Sequence, residues 1–225
     1  MTSLTSDQIR SYIRDGVIIR DEKGIESLKP LVGIYDNDGN LVDAPDVDFI
    51  EGGSFDLRLD ECYEPFPTVT KILNPSLDRN QIAQQGFIVP ALIGIEKRRT
   101  PEIRKCDLMQ TEDGKVGYAI FPMKYFLVTT VEVLSIPSMI RAFVSSRTTL
   151  FRCGLNLITS SVHPNFSGIL TFGLSNASSV PVFIERRARI ASVAFFYLSG
   201  IENDLYEGIW QNGRVSTEMN EDRGY

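Results

Sequence analysis

In the run "SSRTTLFRCGL", residues 145 to 155, Arg147 and Arg152 bracket the hydroxyls of Thr148 and Thr149, with Gly154 close behind. Two guanidiniums and two hydroxyls suit phosphate oxygens, because hydrogen bonds to an ionised acceptor are shorter and stronger than neutral ones. A glycine beside them lets the backbone approach closely. The same residues also describe a plain turn whose arginines pair with aspartate or glutamate, and spacing alone does not choose. The second candidate is the chain's only histidine, His163, which opens "HPNFSGILTFGLSN". Imidazoles exchange protons near neutral pH, so this ring can act as a base or donate to a sugar hydroxyl or a phosphate. It can equally be a partly buried hairpin residue satisfied by a neighbouring carbonyl.

Other chemistries find no support. The sequence has no G-x-S-x-G, no G-x-x-x-x-G-K-[ST] and no H-x-E with P-C-x-x-C, so nucleophile-elbow, Walker and zinc-deaminase readings fall away. Ser160 and Ser161 stand too close to His163 in an extended segment to form a nucleophile–base pair. "DNDGN", residues 36 to 40, resembles a calcium loop only superficially: Gly39 is fourth, and the twelfth position is Val47, which cannot ligate. A hairpin turning at Asp38-Gly39 is the better reading. Cys62, Cys106 and Cys153 are odd in number and scattered, which supports neither a disulfide framework nor a zinc knuckle.

The elements that would position these residues are mostly strands. Ser6 before "DQIRSYIRDG", with Ile9, Tyr12 and Ile13 on one face and Gly16 closing, predicts a short capped helix. Thereafter "GVIIRD", "SFDLRL", "GYAIFP", "YFLVTTVEVLSIP", "GILTFGLSN", "VPVFIE" and "RIASVAFFYL" are β-branched and aromatic runs punctuated by Gly, Pro, Asn and Asp. That pattern is all-β, a barrel or a sandwich. From Asn74 to Gly117 polarity rises and surface insertions are expected; the last residues, "TEMNEDRGY", read as a polar tail.

A length of 225 residues suits a single domain. The net charge of −6 argues against wrapping a nucleic-acid backbone, so any polyanionic ligand must be held by a local cluster. No apolar run reaches the roughly 20 residues of a membrane span. The start shows neither a signal core nor a transit pattern, and a cytoplasmic location is expected.

Taken in order, "SFDLRL" (54–59), "TVEVLSIP" (130–137), "RTTLFRCGL" (147–155), "VHPNFSGILTFGLSN" (162–176), "PVFIERRARIASVAFF" (181–196) and "YEGIWQNG" (206–213) resemble the core of the dCTP deaminase family, within the dUTPase-like superfamily. The resemblance implies a distorted β-barrel of the β-clip type with a short N-terminal helix. It would be one domain over 1–225, with insertions at about 20–50 and 74–117 and a flap at about 199–225. It further implies a homotrimer with sites between neighbouring subunits, each taking a deoxynucleoside triphosphate, dCTP or dUTP. Mg²⁺ would be chelated by the phosphate oxygens, with no zinc and no protein metal ligand, and the base would be read largely by main-chain groups. Carried over by position, Arg147, Thr148, Thr149 and Arg152 would hold phosphates and Phe166 would pack by the sugar. Thr159, Thr171 and, on the flap, Tyr206 and Gln211 complete the candidate nucleotide-binding set; Asn176 matches a closing asparagine. Arg152, Thr148 and His163 are the candidates for catalysis.

This sequence departs from the family pattern at telling places. Gly173 stands where the family has its general-base glutamate, and glycine can accept no proton; such assistance is commonly worth about 10²–10⁴ in rate. His163 replaces an aspartate, Pro164-Asn165 replaces a Pro-Gly turn that Asn can still form, Ile209 and Gly213 replace a lysine and a glutamine of the flap, and Arg186-Arg187 replace a Pro-Gly loop. Two readings stand. One is a dCTP deaminase-like enzyme of pyrimidine deoxynucleotide metabolism that deaminates or hydrolyses its ligand, with His163 or an unrecognised carboxylate as base. The alternative is a catalytically inactive homotrimer, nucleotide-sensing or structural.

Overall fold

Thr5, rather than Ser6, caps the N-terminal helix α1 (Ser6–Asp15). A capping box needs Glu or Gln three residues after the cap, and Gln8 stands three after Thr5: its side chain accepts from the Thr5 amide at 2.9 Å while the Thr5 hydroxyl accepts from the Gln8 amide at 3.3 Å. Ser6 is thereby released to accept from the Gly53 amide at 3.2 Å. Ile9 and Ile13 are buried, and Gly16 ends the helix at φ 83°, as its position predicts. The computed structural model describes residues 1–20, 26–36, 40–43, 47–66, 71–72, 87–88, 92–93, 97–99, 101–200, 213, 215 and 222–223.

The elements that matter for the site follow in chain order: β1 (Val32–Tyr35), β2 (Ser54–Phe66), β3 (Glu102–Lys105), β4 (Val116–Ile120), β5 (Tyr125–Ser135), β6 (Ile140–Ser146), α2 (Thr148–Arg152), β7 (Leu155–Ile158), β8 (Ser161–Val162), β9 (Ser167–Asn176), β10 (Val182–Glu185) and β11 (Arg189–Tyr197). One twelve-stranded sheet runs β7-β9-β5-β2-β11-β6-β8 along its main path, and β4 pairs with β10 apart from it. The fold is all-β, as the alternating runs predict, and the distorted barrel does not close: β7 and β8 at the ends of the path are not paired with each other.

β2 is the hinge of this arrangement. Its first residues, Ser54 to Arg58, pair with β11, and Leu59 to Tyr63 pair with β5. The register shifts between Val128 and Thr130 and between Arg189 and Ala191 bend the ladder at that change of partner, which is how bulges turn a sheet on itself. Every second residue then faces inward. Phe55, Leu57 and Leu59 meet Phe126 and Val128, Ile140 and Ala142, Leu170, Phe172 and Leu174, and Val193 and Phe195, all buried.

The hairpin expected around residues 36 to 40 has its strands: β1 pairs antiparallel with Leu41–Asp43, and the Asp36 amide donates to the Asn40 carbonyl at 3.0 Å. The turn residues Asp38 and Gly39 lie outside the described residues. Within the polar stretch from Asn74 to Gly117, β3 joins the main sheet by pairing with β2. Of the polar tail, Asp222–Arg223 pairs with Lys97–Arg99.

Candidate functional site

The run from Arg147 to Gly154 is a five-residue helix where the sequence reads as a turn. Leu150 is its buried anchor, while Thr148, Thr149, Phe151 and Arg152 are exposed. The backbone fixes both ends. The Arg147 amide donates to the Ile190 carbonyl of β11 at 3.1 Å, and Gly154 takes φ 80°, where a Cβ would stand 2.6 Å from Ser178 Cβ. The hydroxyls of Thr148 and Thr149 and the guanidinium of Arg152 therefore share an open face, and Arg152 has no carboxylate partner among the described residues.

Arg147 behaves differently. Its guanidinium bonds the carboxylate of Asp56, which is only 4% exposed and accepts from Arg189 at 3.3 Å through the same oxygen. One arginine of the run is thus paired with a carboxylate and the other faces solvent. Asp56 and Arg58 come from "SFDLRL", and Arg58 closes a second pair with Glu132 of "TVEVLSIP". Glu132 is fully buried and accepts from the Arg58 amide at 2.8 Å and from Arg58 Nε at 2.6 Å. Burial pushes its carboxyl up, and the Arg58 bonds pull against that. The guanidiniums of Arg58 and Arg189 both lie over the Phe49 ring, at 5.0 and 5.7 Å. Asp56, Arg58, Glu132 and Arg189 do not stand out in the sequence as site residues, although all four sit inside the quoted motifs.

The turn after β8 carries the remaining candidates. Asn165 adopts φ 65°, which its side-chain type tolerates, and its amide donates to the Ile136 carbonyl at 2.8 Å. The Ile136 amide returns a bond to the Phe166 carbonyl at 2.9 Å, which fastens the turn to the end of β5. Phe166 is buried, whereas His163 is exposed. The Thr159 hydroxyl is engaged with the Val144 carbonyl at 2.8 Å. Thr171 Oγ1 is buried without a hydrogen-bond partner among the described residues.

Asn176 proves to be a structural clamp. Its amide donates to the carbonyls of Ile120 and Val180, each at 2.8 Å, and its oxygen accepts from the Ser178 amide and hydroxyl. Gly173 stands opposite Leu127 of β5 and Ile158 of β7, on the face it shares with Thr171 and Ser175. Gly213 lies against this strand: φ is 75°, and a Cβ there would lie 2.6 Å from Ile169 N and 2.7 Å from its O. Tyr206, Ile209 and Gln211 lie outside the described residues. In the loop expected to differ, Arg187 takes φ 69° and Arg186 bonds Asp60 at 2.6 Å. A cleft of about 430 Å³ elsewhere, lined by Cys62, Glu64, Arg104, Tyr118 and Lys124 among others, contains none of the candidate residues. The candidate face is an open surface of the single chain.

A family model described as dCTP deaminase-like matches residues 34–198. The dUMP-forming dCTP deaminase of Sulfurihydrogenibium sp. is 30% identical over 148 residues, covering 64% of this chain and 81% of the relative. The dCTP deaminase of Pyrococcus furiosus is 28% identical over 155 residues, 69% of this chain and 87% of the relative. The 2'-deoxycytidine 5'-triphosphate deaminase of Agrobacterium tumefaciens shares the fold, with a TM-score of 0.52 at 13% identity over 90% of this chain; the chain spans half of that protein's length, 50%. A dUTPase mutant from phage phi11 of S. aureus, which coordinates a structural Mg(II) ion, aligns over 41% of this chain and 78% of its own at 13% identity and a TM-score of 0.34. Among the described residues no helix is long and apolar enough to cross a membrane.

Proposed function

This chain belongs to the dCTP deaminase-like family, and on that footing we propose that it binds a pyrimidine deoxynucleoside triphosphate, dCTP or dUTP, and acts at its phosphate end. The observation that carries the reading is the open face of α2, where Arg152 and the hydroxyls of Thr148 and Thr149 stand exposed beside Arg147. Asp56 fixes the direction of the Arg147 guanidinium, whose further N–H donors remain for a phosphate oxygen. Phe166, buried in the turn, would meet the sugar only along the small part of its ring left exposed, and Tyr206 and Gln211 would close the site from the flap. The donor set fits an ion carried in by the substrate. Hydroxyls and guanidiniums take some phosphate oxygens directly and leave others for Mg²⁺, which prefers oxygen ligands and phosphates. When bound, that ion would neutralise phosphate charge; no zinc enters the reading.

The reaction this arrangement supports is hydrolysis of the phosphate chain: water adds to the α-phosphorus, the bond to the bridging oxygen breaks, and a deoxynucleoside monophosphate and pyrophosphate leave. His163, exposed at the turn, is the candidate to take the proton from that water. Deamination by a carboxylate at position 173 has no residue to perform it, since Gly173 has no side chain. A homotrimer would complete the site, because Phe151 and Ile158 leave 57% and 58% of their surface open around it. The setting would be the cytoplasm, with neither nucleic acid nor membrane as partner.

Product analysis with dCTP and dUTP in Mg²⁺ tests the reading. Formation of dUMP and pyrophosphate from dUTP is expected, and Arg152→Ala should weaken triphosphate binding by about tenfold or more, the usual effect of losing a hydrogen bond to a charged group. Conversion of dCTP to dUTP would overturn the assignment to the phosphate end, and an unchanged affinity in Arg152→Ala would remove α2 from the site.

A further inference from the structure

The space that a side chain at position 173 would use is already filled. A Cβ built on Gly173 would stand 2.5 Å from Tyr125 Oη, 3.0 Å from its Cε2 and 3.1 Å from its Cζ. Strand pairing dictates this. Tyr125 is opposite Ser175 and Leu127 opposite Gly173, which makes Tyr125 the diagonal neighbour of the glycine on the same face, within reach of an aromatic ring. Residue 173 cannot grow unless Tyr125 moves.

The polar group presented there is consequently a phenol hydroxyl. It makes no hydrogen bond to a described residue, and Tyr125 is 45% exposed. Burial of its ring pushes the Tyr125 hydroxyl above the ordinary tyrosine range, so it keeps its proton at neutral pH and is a donor. A carboxylate only accepts. A carboxylate thus suits the 4-amino group of a cytosine and repels the 4-oxo group of a uracil, whereas a phenol can donate to that 4-oxo group. A phenol facing a 4-amino group would have to turn its proton away and find another acceptor.

We propose that Tyr125 is the base-selecting residue of the site, its hydroxyl donating to the 4-oxo oxygen of the pyrimidine, so that the protein prefers a uracil deoxynucleotide to the cytosine one. The assignment rests on the reading that a pyrimidine nucleotide occupies this face, and it narrows that reading to one base.

The test is calorimetric titration of the full-length protein with the non-hydrolysable α,β-imido analogues of dUTP and dCTP in Mg²⁺, repeated on Tyr125→Phe. That variant keeps the ring over Gly173 and removes only the hydroxyl. The dUTP analogue should bind about three- to tenfold more tightly, the range of one neutral hydrogen bond, and Tyr125→Phe should bring the two affinities together while leaving the melting temperature in place. Equal affinities in the wild type, tighter binding of the dCTP analogue, or a ratio that survives in Tyr125→Phe would each overturn the proposal while leaving the phosphate site standing. Failure of both analogues to bind would overturn the proposal together with the site reading beneath it.

Discussion

Asp56 and Glu132 are both buried carboxylates, and each is answered by guanidinium groups, but they leave different residues behind. Glu132 closes on Arg58 and nothing is left over; Asp56 is shared between Arg147 and Arg189, whose side chains stay 29% and 46% exposed, so positive charge remains beside Thr148. The first is a strut, and the second orients the arginine that would face a phosphate in the proposed site. Removing one partner from a buried pair strands the other charge, at about 3–5 kcal/mol. Glu132→Ala should therefore cost about 3 kcal/mol or more in urea unfolding while the solvent-facing Arg152 keeps its position; a loss under about 1 kcal/mol would show that Arg58 finds water instead. Residues such as Arg152, Thr148 and Thr149 are legible in the sequence because their chemistry lies within one short run. The partner of Arg147 is not, since Asp56 is 91 residues away, and Tyr125 is not, because its place over Gly173 depends on the register between β5 and β9.

Strands are more legible than their partners. Alternation alone locates β2, β5, β9 and β11, because one face of each is core. It cannot show that β2 changes partners midway, nor that the polar stretch before β4 contributes β3 to the main sheet, because β3 carries no buried face to betray it: its residues are exposed or half-buried. Side-chain charge adds to its backbone pairing with β2. Glu64 accepts from Arg104 at 3.1 Å and from Lys124 at 2.8 Å, and Glu61 pairs with Lys105. Hydrogen bonds from Lys124 and Arg104 hold the Glu64 carboxyl below its usual range; burial pushes Glu61 up, but bonds from Lys105 and Tyr63 outweigh it and leave it low as well. A carboxylate whose folded pKa is depressed contributes stability above the unfolded value, about 4.3, and loses it as pH falls through the folded value. Hydrogen exchange, corrected for intrinsic rates, should show residues 102–105 losing protection between about pH 5 and pH 3, before the amides of β9 do. Protection in β3 that stays level across that window would mean backbone pairing alone holds it.

At the scale of the whole molecule, the candidate face is open to solvent. Thr148, Thr149 and Arg152 of α2 are exposed, Phe151 and Ile158 have more than half their surface open, and Gly213 lies against Ile169 of β9. Water would compete for every phosphate contact on such a surface, where charge-assisted bonds are worth least. A neighbouring copy that buries Ile158 would exclude that water and gain apolar contact at the same time. Three 25.2 kDa chains are therefore expected in light scattering, about 76 kDa together. Ile158→Asp places a charge on a residue the single fold leaves open, so it should divide the assembly without unfolding the chain and abolish binding of the dUTP analogue with it. A wild-type monomer that binds the analogue tightly would show instead that the flap of the same chain completes the site, and so would a dissociated Ile158→Asp that still binds.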